Sequence, residues 1–114
     1  MATTRSAQPR IRHPYITRKK GTCGGKPIIA GTRIKVSQIA IEHDRMGLTA
    51  DEIIRDHPHL TLAQVHDALS YYYDHIEQIN AEIRESERFI RELRKQYPHS
   101  ILEEKLRGAA HLRR

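Results

Sequence analysis

Along the second half of the chain, apolar positions recur at alternating intervals of three and four: Leu62, Val65, Leu69, Tyr72, Ile76, Ile79, Ile83, Ser86, Ile90, Leu93 and Tyr97, with Ser86 the one polar member. This heptad rhythm keeps one stripe of a helix apolar. It predicts a continuous helix from Leu62 to Tyr97, roughly 54 Å long at 1.5 Å per residue, stopped by Pro98. A small domain does not cover such a rod, so its distal half is expected to pack on another chain. Beyond Pro98, Ser100 is placed to cap a short helix reaching Gly108, with Ile101, Leu102 and Leu106 on one side, before Ala109–Arg114 fray.

Upstream the pattern changes. Tyr15–Lys20 starts aromatic and β-branched and reads as a short strand. The run GTCGG that follows is a loop. The segments KPII and TRIKV flank Ala30-Gly31, which predicts a β-hairpin with Gly31 at positive φ, and Pro27 belongs at a strand start or edge. Three helices come next. The first is capped by Ser37, carries Ile39, Ala40 and Ile41, and is closed by Gly47 in the left-handed conformation. Thr49 with Glu52 forms a capping box for the second, which ends at Pro58, and Thr61 with Gln64 forms another for the third. Two capped helices about four residues apart match a helix-turn-helix in length and punctuation. The fold class is therefore mainly α with a small N-terminal β-hairpin, a winged or hairpin-bearing helix-turn-helix followed by a long C-terminal helix. Residues 1–13 are read as a disordered basic arm, 14–75 as the hairpin and helix-turn-helix domain, and 76–114 as a helical extension for a dimer or toxin contact.

The totals narrow the class. The chain has 114 residues, 38% of them hydrophobic, with one phenylalanine and no tryptophan. A core of that composition is thin and gains from a second subunit. One cysteine, Cys23, excludes an internal disulfide and fits a reducing cytoplasm. No apolar run approaches the roughly 20 residues of a membrane span, and the basic N-terminus lacks the apolar core of a secretion signal.

The net charge of +6 is unevenly spread. Nine Lys or Arg and no acid lie between Met1 and Ile41, whereas acids outnumber bases from Glu42 onward. A strongly basic segment on a slightly acidic body is the charge footprint of nucleic-acid binding, because each phosphate neutralised releases counterions. A merely solubilising arm would carry the same charge.

Most candidate chemistry falls away. GTCGGKP lacks the glycine spacing and the hydroxyl after lysine that a phosphate loop requires. His57, His59 and His66 have no second cysteine and no H-E-x-x-H spacing, so no metal site is expected and the histidines are taken as incidental. Cys23 beside Lys26 has no histidine base near it in sequence. The acids at 82, 85, 87 and 92 interleave with Arg84, Arg88, Arg91 and Arg94 as on a solvated helix face. Tyr71, Tyr72 and Tyr73 are read as core filling. No enzyme activity and no cofactor are expected.

Two segments, GGKPIIAGTRIKVSQIA and GLTADEIIRDHPHLTLAQVHDALSYYYDH, closely resemble the domain-of-unknown-function 433 family of prokaryotic proteins. The resemblance covers about Tyr15 to His75. It rests on the G-K-P-[IV]-I-x-G-T-R-I hairpin and on the helix junction carried by Asp56, Pro58, Leu60, Thr61 and Val65. The chain departs from the family at Lys35, where proline is common, and in its longer C-terminal seam. The resemblance implies a dimerising helix-turn-helix domain and VapB-like antitoxins encoded beside a PIN-like ribonuclease toxin.

Together these readings lead to a DNA-binding antitoxin that represses its own operon from its operator and neutralises the toxin. Lys19, Lys20, Lys26, Arg33 and Lys35 are expected at phosphates, and Thr61, Gln64 and His66 near base edges. Arg33 equally fits a bracing role, for instance a pair with Asp56. The toxin or dimer contact is assigned to Tyr72, Ile76, Ile79, Ile83, Arg84, Arg88, Ile90, Arg91, Leu93 and Arg94, since guanidinium forks match the carboxylates of an acidic metal-binding site. A chain cut after His75 is then expected to bind DNA without neutralising toxin. Two rivals are a homo-oligomeric scaffold without a DNA role and, ranked last, a thiol enzyme using Cys23.

Overall fold

The computed structural model describes residues 12–97 and residue 104. The short helix expected after Ser100 and the frayed end lie outside the described residues, Glu104 excepted.

Two short strands open the fold. Strand β1 (Ile16–Thr17) pairs antiparallel with β2 (Ile28–Ile29), placing Ile16 opposite Ile29 and Thr17 opposite Ile28. The expected KPII–TRIKV hairpin also closes, but by a single bridge between Ile28 and Lys35, flanked by Ile29 N–H to Ile34 O at 2.9 Å and Val36 N–H to Pro27 O at 3.0 Å. Gly31 turns it with φ +80°. The Thr32 hydroxyl donates to Ile29 O at 2.7 Å and accepts from Ile34 N–H at 3.0 Å. Regular pairing falls on the β1 side because Tyr15 O takes the Ala30 N–H at 2.8 Å.

Helix α1 (Val36–Ala40) continues into a π turn, Ile41–Arg45. Its N-cap is the extended Lys35, not Ser37, which lies within the first turn at 6% exposure. The cap fails at Ser37 because Val36 must already be helical to be buried beside Ile39 and Ala40. Gly47, φ +74°, closes the element, and Leu48 N–H reaches back to Glu42 O at 2.9 Å. Helices α2 (Ala50–Asp56) and α3 (Leu62–Asp74) both carry complete capping boxes, Thr49 with Glu52 and Thr61 with Gln64.

The single long helix expected from Leu62 does not form. It breaks at His75 (φ −131°, ψ 41°), and α4 (Ile76–Gln96) starts afresh. His75 serves both helices: its N–H bonds Tyr71 O and Tyr72 O, and its carbonyl accepts from Ile79 N–H at 3.0 Å. Tyr72 spans the break by donating to Asn80 Oδ1 at 3.0 Å. The bend lets α4 fold against α1, so that Ile79 (0% exposed) and Ile83 (2%) join the core of Ile29, Ile34, Val36, Ile39, Ile53, Leu60, Val65, Ala68, Leu69 and Tyr72. Tyr72, Ile79 and Ile83, assigned from sequence to a partner contact, are thus intramolecular core. Burying an isoleucine is worth roughly 1.5–3 kcal/mol, which a straight rod would forgo. The break displaces Ile76 to the surface. Among the three tyrosines only Tyr73 is exposed, its hydroxyl donating to Asp44 Oδ1 at 2.9 Å.

Candidate functional site

The pair of helices α2 and α3 is clamped from below. Residues 57–60 join α2 to α3, with Leu60 buried and its N–H on His57 O at 2.9 Å. Glu42, 4% exposed in the π turn, accepts from Gln38 Nε2 at 2.8 Å and from His57 Nε2 at 2.9 and 3.1 Å. A carboxylate only accepts, so His57 carries its proton on Nε2 here. One buried acid therefore ties the first helix to the turn between the other two, and His57 is structural rather than incidental.

At the start of α3, the cap occupies two of the three residues expected to face bases. Thr61 Oγ1 accepts from Gln64 N–H at 3.2 Å, and Gln64 Oε1 accepts from Thr61 N–H at 2.8 Å. Leu62, Ala63 and His66 are exposed there, and no acid lies in the first turn of α3.

The basic residues divide into two sets. Lys19, Lys20 and Arg33 are exposed, and their side chains form no hydrogen bond or ion pair among the described residues. Arg33 does not pair with Asp56. Its carbonyl accepts from the Cys23 thiol at 3.4 Å. Lys26 and Lys35 are half-buried, and their charges, with that of Arg18, are felt by Glu82 on α4. Burial pushes the Glu82 carboxyl above its usual pKa, while Lys26, Lys35 and Arg18 pull it back. Glu82 Oε2 is itself buried without a hydrogen bond. The counter-charge for the acid-free hairpin thus arrives from a distant helix, and Lys26 and Lys35 are partly committed within the fold. Their sequence neighbours give no sign of this.

His13 and Tyr15, where the described chain begins, are held on α3. Of the segment read as disordered, residues 1–11 lie outside the described residues, but His13 is well anchored. Its Nδ1 sits 3.3 Å from Asp67 Oδ1 and its Nε2 2.9 Å from Asp74 Oδ2, while Tyr15 N–H donates to Asp67 Oδ2 at 2.8 Å. The ring meets the edge of Tyr71 at 5.2 Å, and Tyr71 stacks on His75 at 4.1 Å. Sequence reasoning missed this anchor because its partners stand more than fifty positions away.

Past Ile83, α4 carries two surfaces. On the core-side stripe follow exposed Ser86, half-buried Ile90 and Leu93, and Tyr97, with Phe89 beside them at 64% exposure. Arg84, Arg88, Arg91 and Lys95, spaced by four, three and four, lie on the opposite face, all exposed. Of the acid–base pairs expected along this helix, Lys95–Glu92 at 3.4 Å forms, and Glu87 instead takes Arg45 at 2.7 Å across the fold. Arg84, Arg88 and Arg91 have no ion partner among the described residues. A groove lined by Lys35, Gln38, Ile83, Ser86 and Ile90 runs between α1 and α4.

Among the described residues, no group of three or more His, Cys, Asp or Glu is placed to hold a metal ion, and no helix is long and apolar enough to cross a membrane. A family model described as a protein of unknown function, DUF433, matches residues 16–72, half of the chain. The crystal structure of a DUF433 member protein from Anabaena variabilis superposes with a TM-score of 0.57 at 29% identity, covering 72% of this chain and 75% of that one. No curated protein matches the chain.

Proposed function

The chain belongs to the DUF433 family, and from that premise we propose that it is a DNA-binding antitoxin acting in the cytoplasm. In this reading the arm and the hairpin hold DNA phosphates, the start of α3 approaches the bases of the operator, and the basic face of α4 engages an acidic, metal-binding site on a PIN-like ribonuclease toxin. The observation that carries the DNA role is the set of unpaired, exposed cations Lys19, Lys20 and Arg33 on a segment without acids, together with a capped α3 whose first turn has no acid. Phosphate contacts supply most of the affinity in such complexes and base contacts the specificity. For the toxin role the support is the stripe Arg84, Arg88, Arg91 and Lys95, exposed along one face.

A second reading, a homo-oligomeric scaffold without DNA, is favoured by one feature: the charges of Lys26, Lys35 and Arg18 act on Glu82 within the chain. Fluorescence anisotropy on the upstream DNA of the chain's own gene and on scrambled DNA, across a salt series, separates the two. The antitoxin prefers its operator, its affinity falls steeply with salt, and Lys19→Ala with Lys20→Ala flattens that slope. Equal binding to both DNAs, or none, removes the repressor role.

A further inference from the structure

His13 lies across two turns of α3. Asp67 and Asp74 are seven positions apart, so they share one face of the helix, about 10.5 Å from each other along its axis, with Tyr71 between them. The ring bridges the pair, Nδ1 3.3 Å from Asp67 Oδ1 and Nε2 2.9 Å from Asp74 Oδ2. An ionised carboxylate only accepts, and a neutral imidazole has one donor nitrogen and one acceptor. A neutral ring therefore turns a lone pair toward one of two anionic oxygens, whereas the imidazolium donates to both. Burial sharpens the difference. The His13 and Asp67 side chains are 10% and 12% exposed, and a mismatched polar contact so enclosed has little water to relieve it.

The charges around the ring come close to balance. Helix α3 contributes Asp67, Tyr71 and Asp74, and the break before α4 contributes His75, whose ring centroid is 6.2 Å away. Arg12 places Nη1 3.9 Å from the same Asp74 Oδ2, and Tyr15 gives its backbone N–H to Asp67. Among the described residues these are the titratable and charged groups in contact with the ring or its partners. With His13 and Arg12 cationic, both aspartates are matched, and with a neutral ring one negative charge on α3 is left uncovered. Acid works against the contact by another route. Protonating an aspartate removes an acceptor, and a charge on His75 sets a second cation beside the first.

We infer that His13 is a proton-operated clasp: as the imidazolium it holds the segment from Arg12 to Tyr15 on α3 through Asp67 and Asp74, and loss of one ring proton to solvent releases it. The inference deepens the antitoxin reading and rests on it for one consequence. Closed, the clasp masks two acids on α3 that repel DNA phosphates, so operator binding weakens as pH rises and the clasp opens. The clasp itself is tested without DNA, and loss of the DNA role leaves it standing.

The test is NMR of the full chain. At about pH 6 the nitrogen spectrum of the His13 ring is expected to show both nitrogens protonated. Contacts between carbon-bound ring protons of His13 and Tyr71, whose centroids lie 5.2 Å apart, should be present. At about pH 9, well past the range in which histidines of folded proteins ordinarily hold a second ring proton, those contacts should fall to about a tenth or less, with helical signal unchanged. Asp74→Asn, which spares the enclosed Asp67, should open the clasp at a lower pH than in the unmodified chain. A singly protonated ring at pH 6 overturns the inference, as do ring contacts undiminished at pH 9. His13→Gln should abolish the change in the Tyr71 ring signals between the two pH values. If that change survives, it belongs to His75 and the clasp falls.

Discussion

His57 Nε2 lies 2.9 Å from Glu42 Oε2, with both side chains almost fully enclosed. The bond joins a π turn to the C-terminus of α2 and holds the turn that launches α3, so the orientation of α2 and α3 depends on one buried acid. Removing either partner leaves a buried polar group unsatisfied, a cost of about 1–3 kcal/mol. His57→Ala is expected to lower stability by that amount in urea unfolding. Glu42→Gln, which keeps the shape and loses the charge, is expected to cost less. A double-mutant cycle on the two sites should return a coupling of at least about 1 kcal/mol, and additive losses would remove the pair from the account of the fold.

Each capping box satisfies two backbone donors that the helix cannot. Thr49→Ala and Thr61→Ala are expected to cost about 1 kcal/mol each. The two differ in reach. On the proposed DNA role, Thr61→Ala also loosens the first turn of α3, so it should weaken operator binding more than its effect on stability accounts for, whereas Thr49→Ala should leave affinity unchanged once folding is corrected for. Urea unfolding combined with anisotropy on the same preparations reads both.

Glu82 is an acid whose ionised form is disfavoured by burial more than Lys26, Lys35 and Arg18 compensate. A carboxyl with a raised native pKa holds its proton more tightly folded than unfolded, so its contribution to stability falls as pH rises through that range. Glu82→Gln is therefore expected to stabilise the chain at pH 7, by no more than about 1 kcal/mol because the group is part-solvated and screened. The advantage should vanish below the carboxylate range. Thermal melts of both chains between pH 3.5 and 7.5 would show the two stability curves converging at the acid end, and a constant offset would contradict the assignment.

The cut after His75, expected from sequence to spare the DNA-binding domain, removes Ile79 and Ile83 from the core. Two isoleucines at roughly 1.5–3 kcal/mol each are a large share of the 5–15 kcal/mol that holds a domain. That truncation is expected to melt far below the full chain or to fail to fold. A chain ended after Arg88 keeps both isoleucines and the Arg45–Glu87 pair and is expected to fold, while losing the seam and the distal arginines. Circular dichroism melts of the two truncations check this directly, and toxin neutralisation is testable only in the second.

Local features were legible in the sequence wherever a few adjacent residues decide them. The boxes of Thr49 with Glu52 and Thr61 with Gln64, the turn at Gly31, the stop at Gly47 and the end of α4 before Pro98 all rest on backbone groups within a turn or two of the side chain that serves them. The hairpin and junction motifs also carried the family. Tertiary packing decided the rest. Heptad spacing cannot distinguish a straight helix from one that bends at His75 to bury Ile79 and Ile83, because the same stripe faces inward in both until another helix claims it. Neither the Glu82 charge facing Arg18, Lys26 and Lys35, nor the two aspartates around His13, nor the bond from His57 to Glu42 follows a period along the chain. Such contacts depend on which surfaces meet when the core closes, and only the folded arrangement brings those charges together.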